Sequence, residues 1–343
     1  MTRQGLKYPF DRNPKSGELI EVVDGIWWLR MPLPFALNHI NLWLLDDGDG
    51  WAIVDTGIST DLSREHWLTV FDSHLQGKPI SRVICTHMHP DHVGLAGWLS
   101  RKWGVELWMS RTEYLMCRNL VADTGRIAPP EAISFYRAAG YPERALDAYK
   151  RRFGQFGSNV SHIPDSYRCM VDGDTLSIGA QQWQIVVGRG HSPEHTCLYC
   201  KDLNLLISGD QVLPRISSNV SVFPTEPHGD PLTDWLESCA HIRSLLPKET
   251  LVLPSHNEPF VGLHTRLATL ITGHERQLSN LYEAIEGPKR AVDVIPTLFK
   301  RQLDPVGYYF ATGEALAHLR TLISCGQITV ERDEIGVDWY TRQ

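Results

Sequence analysis

The sequence contains no apolar run approaching the roughly 20 residues that a membrane-spanning helix needs. Its first ten residues hold no apolar signal segment. The seven cysteines are odd in number and scattered, which argues against a disulfide framework. Basic residues are outnumbered 33 to 40 by acidic ones, so a net charge of −7 gives no global attraction to nucleic acid. We therefore expect a cytoplasmic protein with no membrane partner.

Hydrophobic residues make up 42% and charged residues 21% of the 343 residues, as in an ordinary globular protein. Between residues 18 and 109, strand-like segments alternate with segments of helical spacing. This order predicts a layered domain that contains both sheet and helix. Residues 1–18 are polar and contain proline and glycine, so we expect a surface arm there.

Residues 110–165 have a different character, with few strand signals and recurring aromatic residues. Helix-like segments cover 111–122, 130–139 and 142–153. We interpret this stretch as a helical insertion between two parts of one sheet domain. Its aromatic residues either pack the insertion onto the domain or form a lid over a site, and both roles are compatible. A further long helix is predicted over 262–286.

The densest cluster of reactive side chains follows the apolar run 82–85. Three histidines and one aspartate, His87, His89, Asp91 and His92, fall within six residues. Imidazole nitrogen and carboxylate oxygen are ligands of zinc and neighbouring metals. So many polar groups at the end of a buried strand need either hydrogen-bond partners or a metal ion. The cluster therefore predicts a metal-binding loop.

Three more candidate ligands stand in a similar local context, at the ends of later strands. His191, Asp210 and His256 each follow a short apolar segment and a residue of the Gly, Pro or Ser type. Each alone is a weak signal, because a lone histidine is usually structural. Together with the first loop, the three residues form a specific signal of a metal site, since loops at one end of a sheet can converge on a single point.

With these candidate ligands, the sequence resembles the metallo-β-lactamase fold superfamily over about residues 18–286. The resemblance is carried by five motifs: Thr86-His-Met-His-Pro-Asp-His92, Asp55-Thr-Gly57, Gly190-His191, Gly209-Asp210 and Ser255-His256. It implies an α+β fold, a four-layer αββα sandwich of two sheets flanked by helices. It also implies a binuclear metal centre at one edge of the sandwich.

The resemblance further implies two ligand sets joined by one shared carboxylate. These are His87, His89 and His191 for the first metal, Asp91, His92 and His256 for the second, and Asp210 as the bridge. The second set contains Asp91 and no cysteine, which is similar to glyoxalase II and related hydrolases. Asp55 and His195 would lie behind the ligands, where they either tune ligand geometry or are purely structural.

The chemistry expected from such a ligand set is hydrolysis. Two divalent ions, zinc as the first expectation with iron or manganese also admitted, would share a hydroxide that attacks an acyl carbonyl. Asp91 would be the catalytic residue that orients the hydroxide and moves its proton. We expect a small-molecule acyl substrate, a thioester first and another ester or a lactone next. Arg189, Arg215 and His228 lie near the ligand loops and are candidates for substrate binding or for structural ion pairs.

Four other functions remain open for this ligand set. They are a phosphodiesterase or ribonuclease, a mononuclear iron dioxygenase, a β-lactamase, and a binding protein that has kept the fold without its activity. The missing signal segment disfavours a secreted lactamase. The complete set of ligand candidates argues against an inactive fold.

The C-terminal segment, residues 287–343, is predicted to be a small winged-helix-like domain after a catalytic domain that spans residues 1–286. Its sequence from Phe310 to Val330 resembles the C-terminal segment of one branch of the same superfamily. Residues 289–343 contain seven basic and seven acidic residues. A winged helix that binds nucleic acid carries a basic face, so we expect packing or homodimer formation instead.

Overall fold

The computed structural model describes residues 2–3, 5–75 and 77–343. Within these residues, fifteen strands build two large sheets and two more form a C-terminal hairpin. The strands are β1 (Thr2–Arg3), β2 (Leu6–Lys7), β3 (Leu19–Val23), β4 (Ile26–Pro32), β5 (His39–Asp46), β6 (Trp51–Val54), β7 (Ile80–Ile84), β8 (Leu107–Ser110), β9 (Arg168–Met170), β10 (Thr175–Ile178), β11 (Gln181–Gly188), β12 (His195–Cys200), β13 (Leu205–Gly209), β14 (Leu251–Pro254), β15 (Phe260–Val261), β16 (Ile328–Arg332) and β17 (Asp338–Arg342).

The same residues form ten α-helices and two short 3-10 turns, the turns at Phe156–Asn159 and Ala291–Val294. The helices are α1 (Asp61–Ser73), α2 (Pro90–Val93), α3 (Ala96–Trp103), α4 (Arg111–Ala122), α5 (Pro130–Ala138), α6 (Glu143–Arg152), α7 (Pro231–Leu245), α8 (Leu263–Ala284), α9 (Ile295–Leu298) and α10 (Pro305–Ser324). Helices α4, α5 and α6 confirm the predicted helical insertion. Helix α8 confirms the predicted long helix to within two residues at its C-terminal end.

The two sheets pack face to face and carry helices on their outer faces, which gives the predicted four-layer αββα sandwich. The first sheet has the order β3-β4-β5-β6-β7-β8-β9, and the second β1-β2-β15-β14-β13-β12-β11-β10. A buried apolar cluster between the sheets joins Trp28 and Trp43 of the first to Trp183 and Ile207 of the second. Separate clusters lie under α1 and α3 on one side, and under α7, α8 and α10 on the other.

Strand direction brings the candidate ligand loops to one edge of this sandwich. In the second sheet β13 and β14 run parallel, and β11 points the same way because β12 is antiparallel to both of its neighbours. In the first sheet β6 and β7 are also parallel. The sheets are joined at this edge by the Thr196 amide, which donates to the Thr86 carbonyl at 2.8 Å. Asn41 Nδ2 also donates across, to the Pro254 carbonyl at 2.9 Å.

The expectation of a surface arm over residues 1–18 is wrong for its first part. Strand β2 pairs with β15 at the edge of the second sheet, and the Leu6 side chain is 1% exposed. A two-residue strand leaves no periodic signal in a sequence. Its formation depends on unpaired backbone groups at a sheet edge, which only the folded partner supplies.

The segment after α8 packs on the helix face of the second sheet. Ala291, Leu316 and Tyr340 belong to the same buried cluster as Trp235 and Leu267. Helix α10 is followed by the hairpin β16–β17. None of the helices in the described residues is long and apolar enough to cross a lipid bilayer.

Candidate metal centre

The histidine-rich loop follows β7 and turns directly into helix α2. Pro90 lies in the first turn of α2. Its missing amide hydrogen costs no hydrogen bond there, because the first amides of a helix have no partner within the helix. The His92 and Val93 amides both donate to the His89 carbonyl, at 2.9 and 3.0 Å. This tight turn places His87, His89, Asp91 and His92 at one point instead of spreading them along a strand.

The first group of candidate ligands contains His87, His89 and His191, whose ligand atoms all lie within 4.8 Å of one another. His87 Nε2 is 2.8 Å from His89 Nδ1 and 3.3 Å from His191 Nε2. Three imidazole nitrogens facing each other at such distances would suit a metal ion held by three protein ligands.

The second group contains Asp91, His92 and His256, again with all ligand atoms within 4.8 Å. Asp91 Oδ2 is 3.3 Å from His256 Nε2 and 3.7 Å from His92 Nε2. The Asp91 side chain is 20% exposed, whereas those of His92 and His256 are at most 2% exposed. Asp91 is therefore the member of this group that a substrate can reach from solvent.

Asp210 lies between the two groups and turns one oxygen to each. Its Oδ2 is 3.5 Å from His191 Nε2 in the first group. Its Oδ1 is 3.5 Å from His92 Nε2 and 3.4 Å from His256 Nε2 in the second. The two oxygens of this carboxylate are thus divided between the two groups of candidate ligands.

The ring nitrogens that point away from the centre already have partners. His191 Nδ1 donates to the Asn219 carbonyl at 2.7 Å, and His256 Nδ1 to the His39 carbonyl at 2.9 Å. His92 Nδ1 lies 2.8 Å from Asp55 Oδ2. A histidine that donates from Nδ1 presents a free lone pair at Nε2, which is the state a metal ligand requires.

Two buried atoms at the middle of the site lack a hydrogen-bond partner within the described residues, His92 Nε2 and Asp210 Oδ1. Buried polar atoms in native proteins are nearly always satisfied. An unpaired carboxylate oxygen next to an unpaired imidazole nitrogen is satisfied by a cation that binds both. The donor set, with nitrogen and oxygen ligands only, fits a divalent metal ion.

The electrostatics of the site also favour bound positive charge. Burial lowers the pKa of His87, and that of His89 to about 3, so both imidazoles are neutral and can act as ligands. Burial opposes protonation of His256 as well. Asp210 and then Asp91 nevertheless raise the pKa of His256 to about 10. The two carboxylates thus favour positive charge beside them, and a divalent cation would supply that charge.

Asp55 supports the histidine loop from behind. Its Oδ1 accepts a hydrogen bond from the Thr86 amide at 2.8 Å, and its Oδ2 accepts from the Thr86 hydroxyl at 2.9 Å. Asp55 adopts a positive φ of 61°, a conformation that aspartate tolerates better than most residues. Its side chain is thereby aimed at the loop and at His92.

His195 holds Asp210 in position. The Asp210 amide donates to His195 Nε2 at 3.0 Å, so this ring is neutral and carries its proton on Nδ1. Burial lowers the pKa of His195 well below its usual range, in agreement with that role as acceptor. Gly209 has a φ of 51°, and a Cβ there would lie 2.5 Å from the His195 ring. Only glycine allows this approach.

Three supporting residues were not found from the sequence. Buried Glu113 accepts from the amides of Met88 and Glu194, both at 2.9 Å, and so ties two ligand loops together. His39 Nε2 accepts from the Asn257 amide at 3.0 Å, and Asn219 supplies the carbonyl for His191. All three act through partners distant in sequence, so no local motif marks them.

The three candidate substrate residues are all exposed. Arg215 forms an ion pair with Glu258 at 2.8 Å, and His228 Nδ1 is 3.2 Å from an Arg320 nitrogen. Arg189 lines a cavity of about 540 Å³ beside α7, next to Asp234. Arg189, Arg215 and His228 remain candidates for substrate binding.

The paired cysteines of β12 form no metal site. Cys197 contributes to the cluster under α7, whereas Cys200 contributes to the cluster between the sheets. They therefore face opposite sides of the second sheet, as alternation along a strand predicts for positions three apart.

An αββα sandwich with histidines and aspartates gathered at the ends of its strands defines a class of metal-dependent hydrolases. The sequence model of the metallo-beta-lactamase superfamily matches residues 37–256, and the chain belongs to this superfamily. A second model, the metallo-beta-lactamase-like C-terminal domain, matches residues 278–343. The chain is accordingly a metallo-hydrolase.

Known proteins of this family resemble the chain over most of its length. A beta-lactamase domain protein from Burkholderia ambifaria has 43% identity, with 98% of each chain covered and a TM-score of 0.91. The probable metallo-hydrolase YqjP of Bacillus subtilis is 25% identical over 86% of this chain and 91% of its own length. The acyl-coenzyme A thioesterase MBLAC2 of Bos taurus is 24% identical over 69% of this chain and 80% of its own.

Proposed function

We propose that this metallo-hydrolase is binuclear and cleaves acyl thioesters. The observation that carries the binuclear part is the position of Asp210, whose two oxygens face two different groups of ligand atoms. A mononuclear enzyme needs only one of these groups. The seven residues His87, His89, Asp91, His92, His191, Asp210 and His256 would hold two divalent ions, zinc as the first candidate.

Divalent ions bound there would supply an ionised water near neutral pH and would polarise the acyl oxygen of the substrate. The protein's own residues position the reactants. Asp91, the most exposed of the carboxylates, would orient the attacking water and accept its proton. Asp55 and His195 would keep His92 and Asp210 in place through the hydrogen bonds described above.

The choice of a thioester rests on the chemistry of the site and on the relatives. A metal site of this kind would stabilise the negative charge that develops on the acyl oxygen during attack, so it suits a substrate with an activated acyl group. The name of the bovine relative, an acyl-coenzyme A thioesterase, supports the same class of substrate. The balanced charge of residues 289–343 gives no support to nucleic acid as the substrate.

The direct test is a substrate panel on enzyme loaded with zinc, manganese or iron. Acyl thioesters, lactones, a β-lactam, a phosphodiester and short single-stranded RNA would be compared at equal concentration. We expect the highest kcat/KM for thioesters. A preference for the phosphodiester or RNA would replace the proposal with a nuclease, and a preference for the β-lactam would replace it with a lactamase.

The matched variant is Asp91→Asn, which preserves the shape of the side chain and removes its charge. We expect kcat to fall by about 10²–10⁴-fold, the range associated with loss of a general acid or base. Metal content and the thermal unfolding midpoint would be measured on the same sample. Turnover within tenfold of the native enzyme would contradict the role of Asp91.

A further inference from the structure

A groove of about 660 Å³ lies between helix α6 of the insertion and the start of helix α10. Arg144, Arg151 and Arg152 line it together with Tyr149 and Tyr309. Its volume lies within the range of about 300–1,000 Å³ found for small-molecule sites. We call it the arginine–tyrosine groove.

The charge of the groove favours an anion. None of its three arginines forms an ion pair with a carboxylate anywhere in residues 2–3, 5–75 and 77–343, although Lys150 on the same helix is paired with Asp147 at 3.1 Å. The single carboxylate in the lining, Asp304, accepts from the Gly307 amide and caps α10. Planar guanidinium groups bind phosphate through paired hydrogen bonds.

The aromatic residues of the groove favour a planar ring as well. The guanidinium of Arg152 lies 5.0 Å from the centre of the Tyr309 ring and 5.3 Å from that of Phe310. Nucleobases stack on aromatic side chains and on arginine planes. Arginine forks beside tyrosine faces therefore suit a nucleotide that carries phosphates.

A second cavity, the one beside α7, has the opposite character. It contains Arg111 and Arg189, but its lining also includes the four carboxylates of Asp172, Glu194, Asp234 and Glu237. A phosphorylated ligand would meet net negative charge there. The arginine–tyrosine groove is thus the better site for such a ligand.

A short segment connects the groove to the metal centre. The Tyr309 ring lies 6.2 Å from that of Phe223, and the Phe310 carbonyl accepts from the Ser221 hydroxyl at 3.4 Å. Two residues earlier, the Asn219 carbonyl accepts from His191. Residues 219–223 therefore join the lining of the groove to the candidate ligand His191 through direct contacts.

We infer that the arginine–tyrosine groove binds the phosphorylated adenosine end of a coenzyme A thioester, while the metal centre receives its acyl end. This inference rests on the proposed thioesterase function and specifies its substrate. The groove would bind the carrier's nucleotide, and the flexible pantetheine arm would span the segment between the two sites.

The first test measures binding without chemistry. Adenosine 3′,5′-bisphosphate, which has no thiol and no acyl group, would be titrated calorimetrically into metal-loaded enzyme. We expect binding to the native protein and at least a tenfold weaker Kd in the double variant Arg144→Ala/Arg151→Ala. Both side chains are exposed, so the fold should tolerate their loss. Lys150→Ala, on the same helix but outside the groove, is the control and should bind normally.

The second test compares two thioesters of one acyl group, one on coenzyme A and one on N-acetylcysteamine. In the double variant, KM for the coenzyme A thioester should rise at least tenfold with kcat within twofold. Hydrolysis of the N-acetylcysteamine thioester should not change. A third thioester of the same acyl group, carried on acyl carrier protein, would be measured in parallel. A rise in KM confined to that substrate would overturn the inference and identify an acidic protein partner.

The two proposals fail in different ways. Failure of native enzyme to hydrolyse either thioester would refute the proposed function, whereas calorimetry would still report on the groove. Hydrolysis of both thioesters with no binding of the bisphosphate would refute the groove assignment alone. Equal loss of binding in the Lys150→Ala control would show a general charge effect and would also refute it.

Discussion

At the scale of single residues, the candidate site depends on hydrogen bonds between pairs of buried residues. Asp55 accepts from Thr86 and faces His92, and His195 accepts from the backbone of Asp210. Both were expected from the sequence to lie behind the ligands. Glu113 was not expected, because an acidic residue in the first turn of a helix is usually a solvated one that interacts favourably with the helix dipole.

Glu314 on helix α10 gives a pH-dependent prediction. Burial raises the pKa of Glu314 to about 7, although a hydrogen bond from Asn219 Nδ2 opposes the shift. An unfolded glutamate has a pKa of about 4.3, so the folded state binds the proton more tightly. This contribution to stability is fully present below about pH 4.3 and is lost as the pH rises through about 7.

We therefore expect Glu314→Gln, which keeps an acceptor for Asn219 without the charge, to raise the free energy of unfolding at pH 8. The expected gain is on the order of 3–4 kcal/mol, because the shift from about 4.3 to about 7 is nearly three pKa units and one unit corresponds to about 1.4 kcal/mol. At pH 5 the gain should be only about 1 kcal/mol, because the pH then exceeds the unfolded pKa by less than one unit. Urea unfolding at both pH values measures this, and exposed Glu331→Gln is the control. A gain that is equal at both pH values would contradict the assignment.

At the scale of elements, helices α8 and α10 fix the segment that follows Asp210. The Arg266 guanidinium, buried in α8, donates to the Leu213 carbonyl at 2.5 Å and to the Ile216 carbonyl at 2.7 Å. The Val222 amide donates to the Gly313 carbonyl of α10 at 3.1 Å. The segment after Asp210 thus takes its shape from helices that contribute no candidate ligand.

Removing this anchor should affect stability and activity together. In Arg266→Met, the buried Leu213 carbonyl and the partly buried Ile216 carbonyl lose a charged donor, so we expect the free energy of unfolding to fall by about 2–4 kcal/mol. We also expect a lower kcat, because Asp210 is no longer held in one position. Denaturant unfolding and steady-state kinetics measure the two effects. Arg276→Met, exposed on the same helix, should leave both unchanged, and normal kcat in Arg266→Met would refute the positioning role.

At the scale of the whole molecule, the C-terminal segment and the second sheet share one hydrophobic cluster. Val294, Leu319 and Ile328 from the C-terminal segment lie in the same cluster as Leu232 and Leu281. The sequence predicts a boundary at residue 286, and that boundary remains a prediction. The shared cluster indicates that neither side of it buries its apolar surface alone.

A chain that ends at residue 286 should therefore lose cooperative unfolding and aggregate. Exposed apolar surface costs about 25 cal/mol per Å², so uncovering about 400 Å² would cost about 10 kcal/mol, which is comparable to a typical folding free energy of about 5–15 kcal/mol. Soluble yield, dye binding to exposed apolar surface and thermal unfolding measure the outcome. A monomeric fragment with the native unfolding midpoint would show instead that residues 287–343 are an independent domain.

Metal ions should stabilise the whole fold, because they bind the native state and not the unfolded chain. Ligand at 100 times its Kd adds about 2.7 kcal/mol for each site. We expect elemental analysis to approach two ions per chain and chelation to lower the thermal unfolding midpoint, with recovery after zinc is restored. One tightly bound iron per chain would favour the dioxygenase alternative. An unfolding midpoint that chelation leaves unchanged would argue against metal binding by this cluster.

The sequence alone determined the features that depend on neighbouring residues. The spacing of His87, His89, Asp91 and His92 marks a metal-binding loop, because one tight turn gathers all four. Helices α4, α5 and α6 follow from local periodicity, and the superfamily motifs indicate the layered α+β fold. Each of these signals comes from residues that are close together in the sequence, so it can be recognised without knowledge of the folded structure.

Tertiary structure alone decided what depends on distant partners. It divided the oxygens of Asp210 between two ligand groups, placed Glu113 between two loops and paired β2 with the sheet edge. It also brought α6 beside α10 to form the arginine–tyrosine groove. The physical reason is the same in each case. The interacting segments are separated by many residues in the sequence, and they meet only after burial of the hydrophobic cores has brought them into contact.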